Sequence, residues 1–95
     1  GRGGIAPDAT VTGAEIVEPV RIEAGARIEG GRIGPNVTVG QGTRIVGSTL
    51  RDTIVGEQSV LERVDLRDSL VGSGVQARGL KGAVSLADYS EVMGE

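Results

Sequence analysis

From Ile5 onward an aliphatic residue returns every five or six positions: Ile5, Val11, Val17, Ile22, Ile28, Ile33, Val39, Ile45, Leu50, Val55, Leu61, Leu66, Val71 and Ala77. Steps of that size match neither the 3.6-residue period of a helix nor the strict alternation of a long strand. They match a chain that makes a short strand, turns a corner and makes another, with one large inward residue per wall. Three walls close a triangular coil. Coil starts then fall at Ile5, Ile22, Val39, Val55 and Val71, which gives coils of 17, 17, 16 and 16 residues. Second-wall positions are Val11, Ile28, Ile45, Leu61 and Ala77; third-wall positions are Val17, Ile33, Leu50 and Leu66. Three full hexads per coil would need more residues than this, so one or two corners per coil are shortened.

The same periodicity appears as an internal repeat. Leu50 to Val64 reads LRDTIVGEQSVLERV, and Leu66 to Leu80 reads LRDSLVGSGVQARGL, offset by 16 residues. A repeat of this length cannot bury its own apolar face and must stack on its neighbour, which defines a solenoid. A second, smaller inward position lies four residues after each coil start: Ala9, Ala26, Thr43, Ser59 and Val75. Gly40, Gly56 and Gly72 follow three coil starts in register, where a Cβ would obstruct a close backbone approach. Pro19 and Pro35 match on the third wall, and Gly13, Gly30 and Gly47 on the second, as corner chemistry.

The domain plan follows. Residues 1–4 read as a flexible linker or expression scar, residues 5–79 as the coils of an all-β parallel β-helix, and residues 80–95 as a C-terminal cap. In the cap, Leu86, Tyr89 and Val92 could form one face of a short helix with Ser85 as N-cap, or lie extended across the last coil. A cap of either kind is expected in preference to a sixth coil.

Composition narrows the interior and removes several functions. The 95 residues hold 17 Gly, one Tyr, one Met and no Phe, Trp or Cys. A narrow interior of medium aliphatics suits that set, whereas globular cores draw bulk from aromatics. Without Cys there is no disulfide or thiolate chemistry. There is no signal-peptide h-region and no run approaching a membrane span, so a cytoplasmic chain is expected. The net charge of −3, from 10 basic and 13 acidic residues, leaves no basic footprint for nucleic acid.

The hexad phrases Ile33-Gly34-Pro35-Asn36-Val37-Thr38-Val39-Gly40 and Val55-Gly56-Glu57-Gln58-Ser59-Val60 resemble left-handed β-helix hexapeptide repeats. Handedness comes from that resemblance, since parallel crossovers are otherwise right-handed. The 16- to 17-residue coils, the phrase RDSLVG and the ending Leu86-Ala87-Asp88-Tyr89-Ser90-Glu91-Val92 are similar to the C-terminal β-helix of long-form glucose-1-phosphate thymidylyltransferases. The resemblance spans roughly Ile5 to Val92. It implies a non-catalytic structural and oligomerisation domain of a sugar-1-phosphate nucleotidyltransferase. That enzyme would convert dTTP and glucose 1-phosphate to dTDP-glucose and pyrophosphate. Its Mg²⁺ would belong to a separate catalytic domain, so no cofactor is expected in this chain. A homo-oligomer, trimer or dimer, is the expected partner arrangement, together with the parent's own catalytic domain. The alternatives are an engineered or isolated β-helix scaffold and a hexapeptide acyltransferase lacking the usual His.

No residue is assigned a catalytic, cofactor-binding or metal-binding role. Gly40-Gln41-Gly42-Thr43-Arg44-Ile45 resembles the nucleotidyltransferase phosphate loop, but it falls in the hexad register and reads as a corner. The chain has no His, the general base of hexapeptide acyltransferases and the zinc ligand of β-helix carbonic anhydrases. Glu57, Glu62, Asp65 and Asp68 lie in corner or outward phases. Arg51 and Asp52 stack in phase with Arg67 and Asp68, and the favoured reading is a solvated ladder in which each Arg offsets its neighbour's Asp. Asn36-Val37-Thr38 matches the glycosylation sequon, and Thr10-x-Thr12 is the sole T-x-T, too little for stacked Thr rows.

Overall fold

The computed structural model describes residues 4–94; residues 1–3 of the expected linker lie outside that range. The chain is all-β, a parallel β-solenoid of about five turns, consistent with left-handed winding. Among the described residues fourteen short strands follow one another around three walls. The first wall holds β3 (Val20–Ile22), β6 (Val37–Val39), the second halves of β8 (Thr49–Val55) and β10 (Asp65–Val71), and β13 (Ser85–Leu86). The second wall stacks β1 (Thr10–Thr12), β4 (Arg27–Glu29), β7 (Arg44–Val46), β9 (Val60–Glu62), β11 (Gln76–Arg78) and β14 (Glu91–Met93). The third holds β2 (Glu15–Ile16), β5 (Arg32–Ile33), the first halves of β8 and β10, and β12 (Lys81–Gly82). Because β8 and β10 run unbroken around a corner, the first and third walls merge into one eight-stranded sheet.

The aliphatic period becomes three stacked columns. On the first wall Ile5, Ile22, Val39, Val55, Val71 and Leu86 sit one above another. Val39, Val55 and Val71 are 0%, 1% and 3% exposed. On the second wall Val11, Ile28, Ile45, Leu61, Ala77 and Val92 align in the same way. On the third, Ile33, Leu50 and Leu66 align as expected, but the first-coil member is Ile16, not Val17. Ile16 and Val17 are adjacent aliphatics, so periodicity alone left a one-residue ambiguity. Backbone pairing resolves it, because a slip of one residue sends every side chain of a strand to the other face.

Of the two arrangements the sequence left open for the tail, a short helix or an extended lie across the last coil, the structure shows the extended one. Residues 81–93 form β12, β13 and β14, which pair in parallel with the coil before them: Leu66 with Gly82, Val71 with Leu86, and Ala77 with Val92. Leu86 and Val92 therefore continue the first and second columns, and Tyr89 stands exposed at the corner between them. Unpaired strand edges on the coil below offer the tail a full set of backbone partners, which a one-turn helix would forgo.

Hydroxyls occupy the small inward corner positions for a reason beyond size. Thr43 Oγ1 donates to the Gly56 carbonyl at 2.7 Å and accepts from Ser59 N–H at 3.1 Å. Ser59 Oγ repeats the pattern one coil on, donating to Gly72 O at 2.8 Å and accepting from Val75 N–H at 3.0 Å. Each hydroxyl bridges two coils in a buried corner, and no buried side-chain polar atom among the described residues lacks a partner. The glycines of this corner are there for clearance. A Cβ on Gly40 would lie 2.5 Å from the Gly56 carbonyl, and one on Gly56 would lie 2.7 Å from the carbonyl carbon of Gly72.

All the variation in coil length sits at the corner from the third wall to the first. Ile33 is followed by a first-wall residue, Val37, four positions on, through Gly34-Pro35-Asn36. Leu50 reaches the equivalent Thr53 in three, through Arg51-Asp52. Asn36, Asp52 and Asp68 each turn this corner with positive φ, at 60°, 50° and 48°. Asn and Asp tolerate that region better than other side chains. In the shorter corners the inward residue changes from Val20 and Val37 to Thr53 and Ser69. Thr53 Oγ1 donates to Arg51 O at 2.8 Å, and Ser69 Oγ to Arg67 O at 2.7 Å.

Candidate interaction surface

The candidate motifs are dispersed around the prism. Gly40 to Ile45 spans the corner between the first and second walls. Gly40, Thr43 and Ile45 are buried, the Thr43 hydroxyl is committed to two backbone groups, and Arg44 points outward from the second wall. Glu57 is exposed on the same corner one coil up. Glu62 is half-buried on the second wall and accepts from Arg78 Nε at 3.0 Å. Asp65 is exposed on the third wall, and Asp68 on the corner beyond it. These four carboxylates occupy four different places on the prism and are not brought together. Among the described residues, no three acidic side chains gather as a metal site would require.

The Arg–Asp ladder forms differently from the expected one. Arg51 and Arg67 stack in register, but neither reaches the Asp of the neighbouring coil. Asp68 meets its own sequence neighbour, Arg67, at 3.8 Å. Asp52 accepts from Asn36 Nδ2 at 3.0 Å. Asp52 and Asp68 sit at the corner with positive φ, outside the paired register that stacks Arg51 on Arg67. Asn36 of the sequon is exposed at the same corner with its amide engaged by Asp52. Thr10 and Thr12 are followed on the next coil by Arg27 and Glu29, so no Thr rows arise.

What the motifs did not point to is on the first wall. Its outward column reads Arg21, Thr38, Ile54, Leu70 and Ser85, each paired in register with the next. Ile54 is 53% exposed and Leu70 56% exposed. The signal was present in the repeat itself. Ile54-Val55 and Leu70-Val71 are adjacent aliphatics on a strand, and alternation allows only one of each pair to face the core. The second wall has a lesser feature, a shallow depression on its outer face lined by Val60, Gln76 and Met93, with the Arg78–Glu62 pair at its rim.

No family model matches this sequence, and no curated protein matches it. Among solved structures, the acetyltransferase domain of PglB from Neisseria gonorrhoeae, in complex with acetyl coenzyme A, is similar. It is 25% identical over 93% of this chain and 52% of that one, with a TM-score of 0.43. The chain thus spans about half the length of that structure.

Proposed function

We propose that this chain is an architectural and assembly domain that works through its outer walls and carries no reactive centre of its own. The observation behind this reading is the pair Ile54 and Leu70, stacked in register and more than half exposed on a wall of paired strands. Scattered surface aliphatics are ordinary, but a contiguous pair on a flat sheet is the kind of surface that protein contacts cover. Sedimentation velocity of the chain across a hundredfold range of concentration tests the role. Mass above the 9.7 kDa monomer is expected. A folded, strictly monomeric protein at every concentration would overturn it.

The parent in this reading is a sugar-1-phosphate nucleotidyltransferase acting on dTTP and glucose 1-phosphate. Support comes from the sequence: the RDSLVG phrase, the coil lengths and the ending from Leu86 to Val92. Pyrophosphate release by the full gene product from dTTP and glucose 1-phosphate with Mg²⁺ is the expected result. No release with any sugar 1-phosphate would remove the parent assignment and leave the assembly role standing.

A further inference from the structure

We propose that two copies of this chain pair face to face through their third walls, running antiparallel about a two-fold axis that lies along β8 at Thr49. This deepens the assembly reading above, naming its partner and wall, on an observation independent of Ile54 and Leu70. That observation is the order of charge in an outward column of the third wall. The column reads Glu15, Arg32, Thr49, Asp65 and Lys81, paired in register from coil to coil. All five residues are exposed. Taken in reverse, every charge changes sign and the neutral centre stays in place. A two-fold contact needs one surface patch that is complementary to itself. Rotation about Thr49 sets Glu15 against the second copy's Lys81, Arg32 against its Asp65, and Thr49 against Thr49. Paired strands are evenly spaced at ~4.8 Å, so the matches hold together at one coil and at two coils from the axis.

Charge fixes both sense and register. Parallel prisms with this column set on itself would bring each of its four charges against its own like, which opposes association. A two-fold axis along the prism would instead set the column against its neighbour on the same wall, where Asp65 opposite Arg67 is the single match. An antiparallel slip of one coil puts Glu15 against Asp65, or Arg32 against Lys81. Every charge of the column is matched within its five coils, so the pairing asks nothing of what lies beyond either end. The other walls lack this property. An outward column of the second wall reads Thr10, Arg27, Arg44, Val60, Gln76 and Glu91, and reversal brings neither Arg to a carboxylate. The first wall's outward column holds one charge, Arg21. Contacts inside the chain do not account for the order. Arg32 meets Glu15 at 3.8 Å with more than half of each side chain in solvent, and Lys before Asp would serve internal pairing as well as Asp before Lys. Only the observed order makes the column complementary to its own reverse. One contact opposes the pairing: Arg51, two residues along β8 from Thr49, meets its own copy on the axis.

Charge reversal tests the proposal. Arg32→Glu sets a like charge against the second copy's Asp65, and Asp65→Arg does the same to Arg32. Each variant alone should keep the circular dichroism of the wild type, since both positions are exposed, and should associate roughly tenfold or more weakly in sedimentation velocity. Mixed in equal amounts, with one variant carrying a mass tag, they should associate again as dimers of one chain of each kind, because each reversed charge then meets its opposite. Within one chain Arg32 and Asp65 lie two coils apart, so recovery on mixing reports contact between copies. Wild-type association should weaken as sodium chloride rises from about 0.1 M to about 1 M, where the screening length falls from ~10 Å to ~3 Å. Arg51→Ser should tighten it. Undiminished association of the single variants, mixtures no better than their components, indifference to salt, or loosening by Arg51→Ser would each overturn the third-wall pairing and leave the assembly reading standing. A wild type that is monomeric at every concentration would end both.

Discussion

The first two coils and the two that follow share their walls and their columns, yet turn one corner by different means. The corner at Ile33 is closed by Gly34-Pro35-Asn36 and an inward Val37. The corner at Leu50 is one residue shorter, closed by Arg51-Asp52 and an inward Thr53 whose hydroxyl holds the Arg51 carbonyl. Leu66 to Ser69 repeats the shorter form, with Ser69 bonded to Arg67 O. The tail shortens the same corner again: Gly82 is followed by Val84, whose N–H donates to Ser69 Oγ at 2.9 Å. A residue can therefore be lost at this vertex without disturbing the stack. At each shortened corner a backbone group meets the hydroxyl of Thr53 or Ser69, while the positive φ falls on Asp52, on Asp68 or, in the tail, on Gly82.

The comparison breaks most completely at Ile45, which lies in the second-wall column between Ile28 of the longer coils and Leu61 of the shorter ones. Ile45→Asp places a carboxylate in a dry aliphatic interior. It should cost several kcal/mol, comparable with the ~5–15 kcal/mol stability of a small domain. Hydrogen exchange should show protection lost from both groups of coils together. Loss confined to one side would mean that the two regions fold independently.

The next largest effect comes from exchanging the inward corner residues. Thr53→Val leaves the Arg51 carbonyl without its partner and should lower stability by about 1–2 kcal/mol in urea denaturation. Val37→Thr, in the longer corner, buries a hydroxyl where valine now packs and should cost ~1–3 kcal/mol. If Thr53→Val proved neutral, the hydroxyl would not be what permits the short corner. A graft sharpens the same point: replacing Gly34-Pro35-Asn36-Val37 with Arg-Asp-Thr should give a folded protein within about 1 kcal/mol of the parent, the scale of an ordinary substitution. Failure of the graft to fold would show that the two corners are not interchangeable. The smallest effect is expected of Arg67→Ala. The Arg67–Asp68 contact is exposed at both ends and 3.8 Å long. Its loss should lower stability by no more than ~0–1 kcal/mol in the same urea titration, and by less still at high salt.

Much of the solenoid was legible because its interior is one-dimensional. A coil start predicts the next by counting, and Ile22, Val39, Val55 and Val71 fell where counting put them. Counting failed where two aliphatics were adjacent, as at Ile16-Val17, and where the period changed, as in the tail. The outward pair Ile54 and Leu70 was hidden for a related reason. A hydrophobic residue scores the same whichever way it points, and only strand alternation separates Ile54 from Val55.

The order of residues by itself determined the period, the aliphatic columns, the clearance glycines Gly40 and Gly56, and the division into coils. These are repeating local choices, each visible in a window no longer than one turn. Only the tertiary structure decided which way Asp52 faces, which backbone groups Thr43, Ser59 and Thr53 satisfy, and that residues 81–93 pair as strands. Those outcomes depend on partners one coil away, and a backbone group commits to a partner only once that partner has been brought within hydrogen-bonding distance.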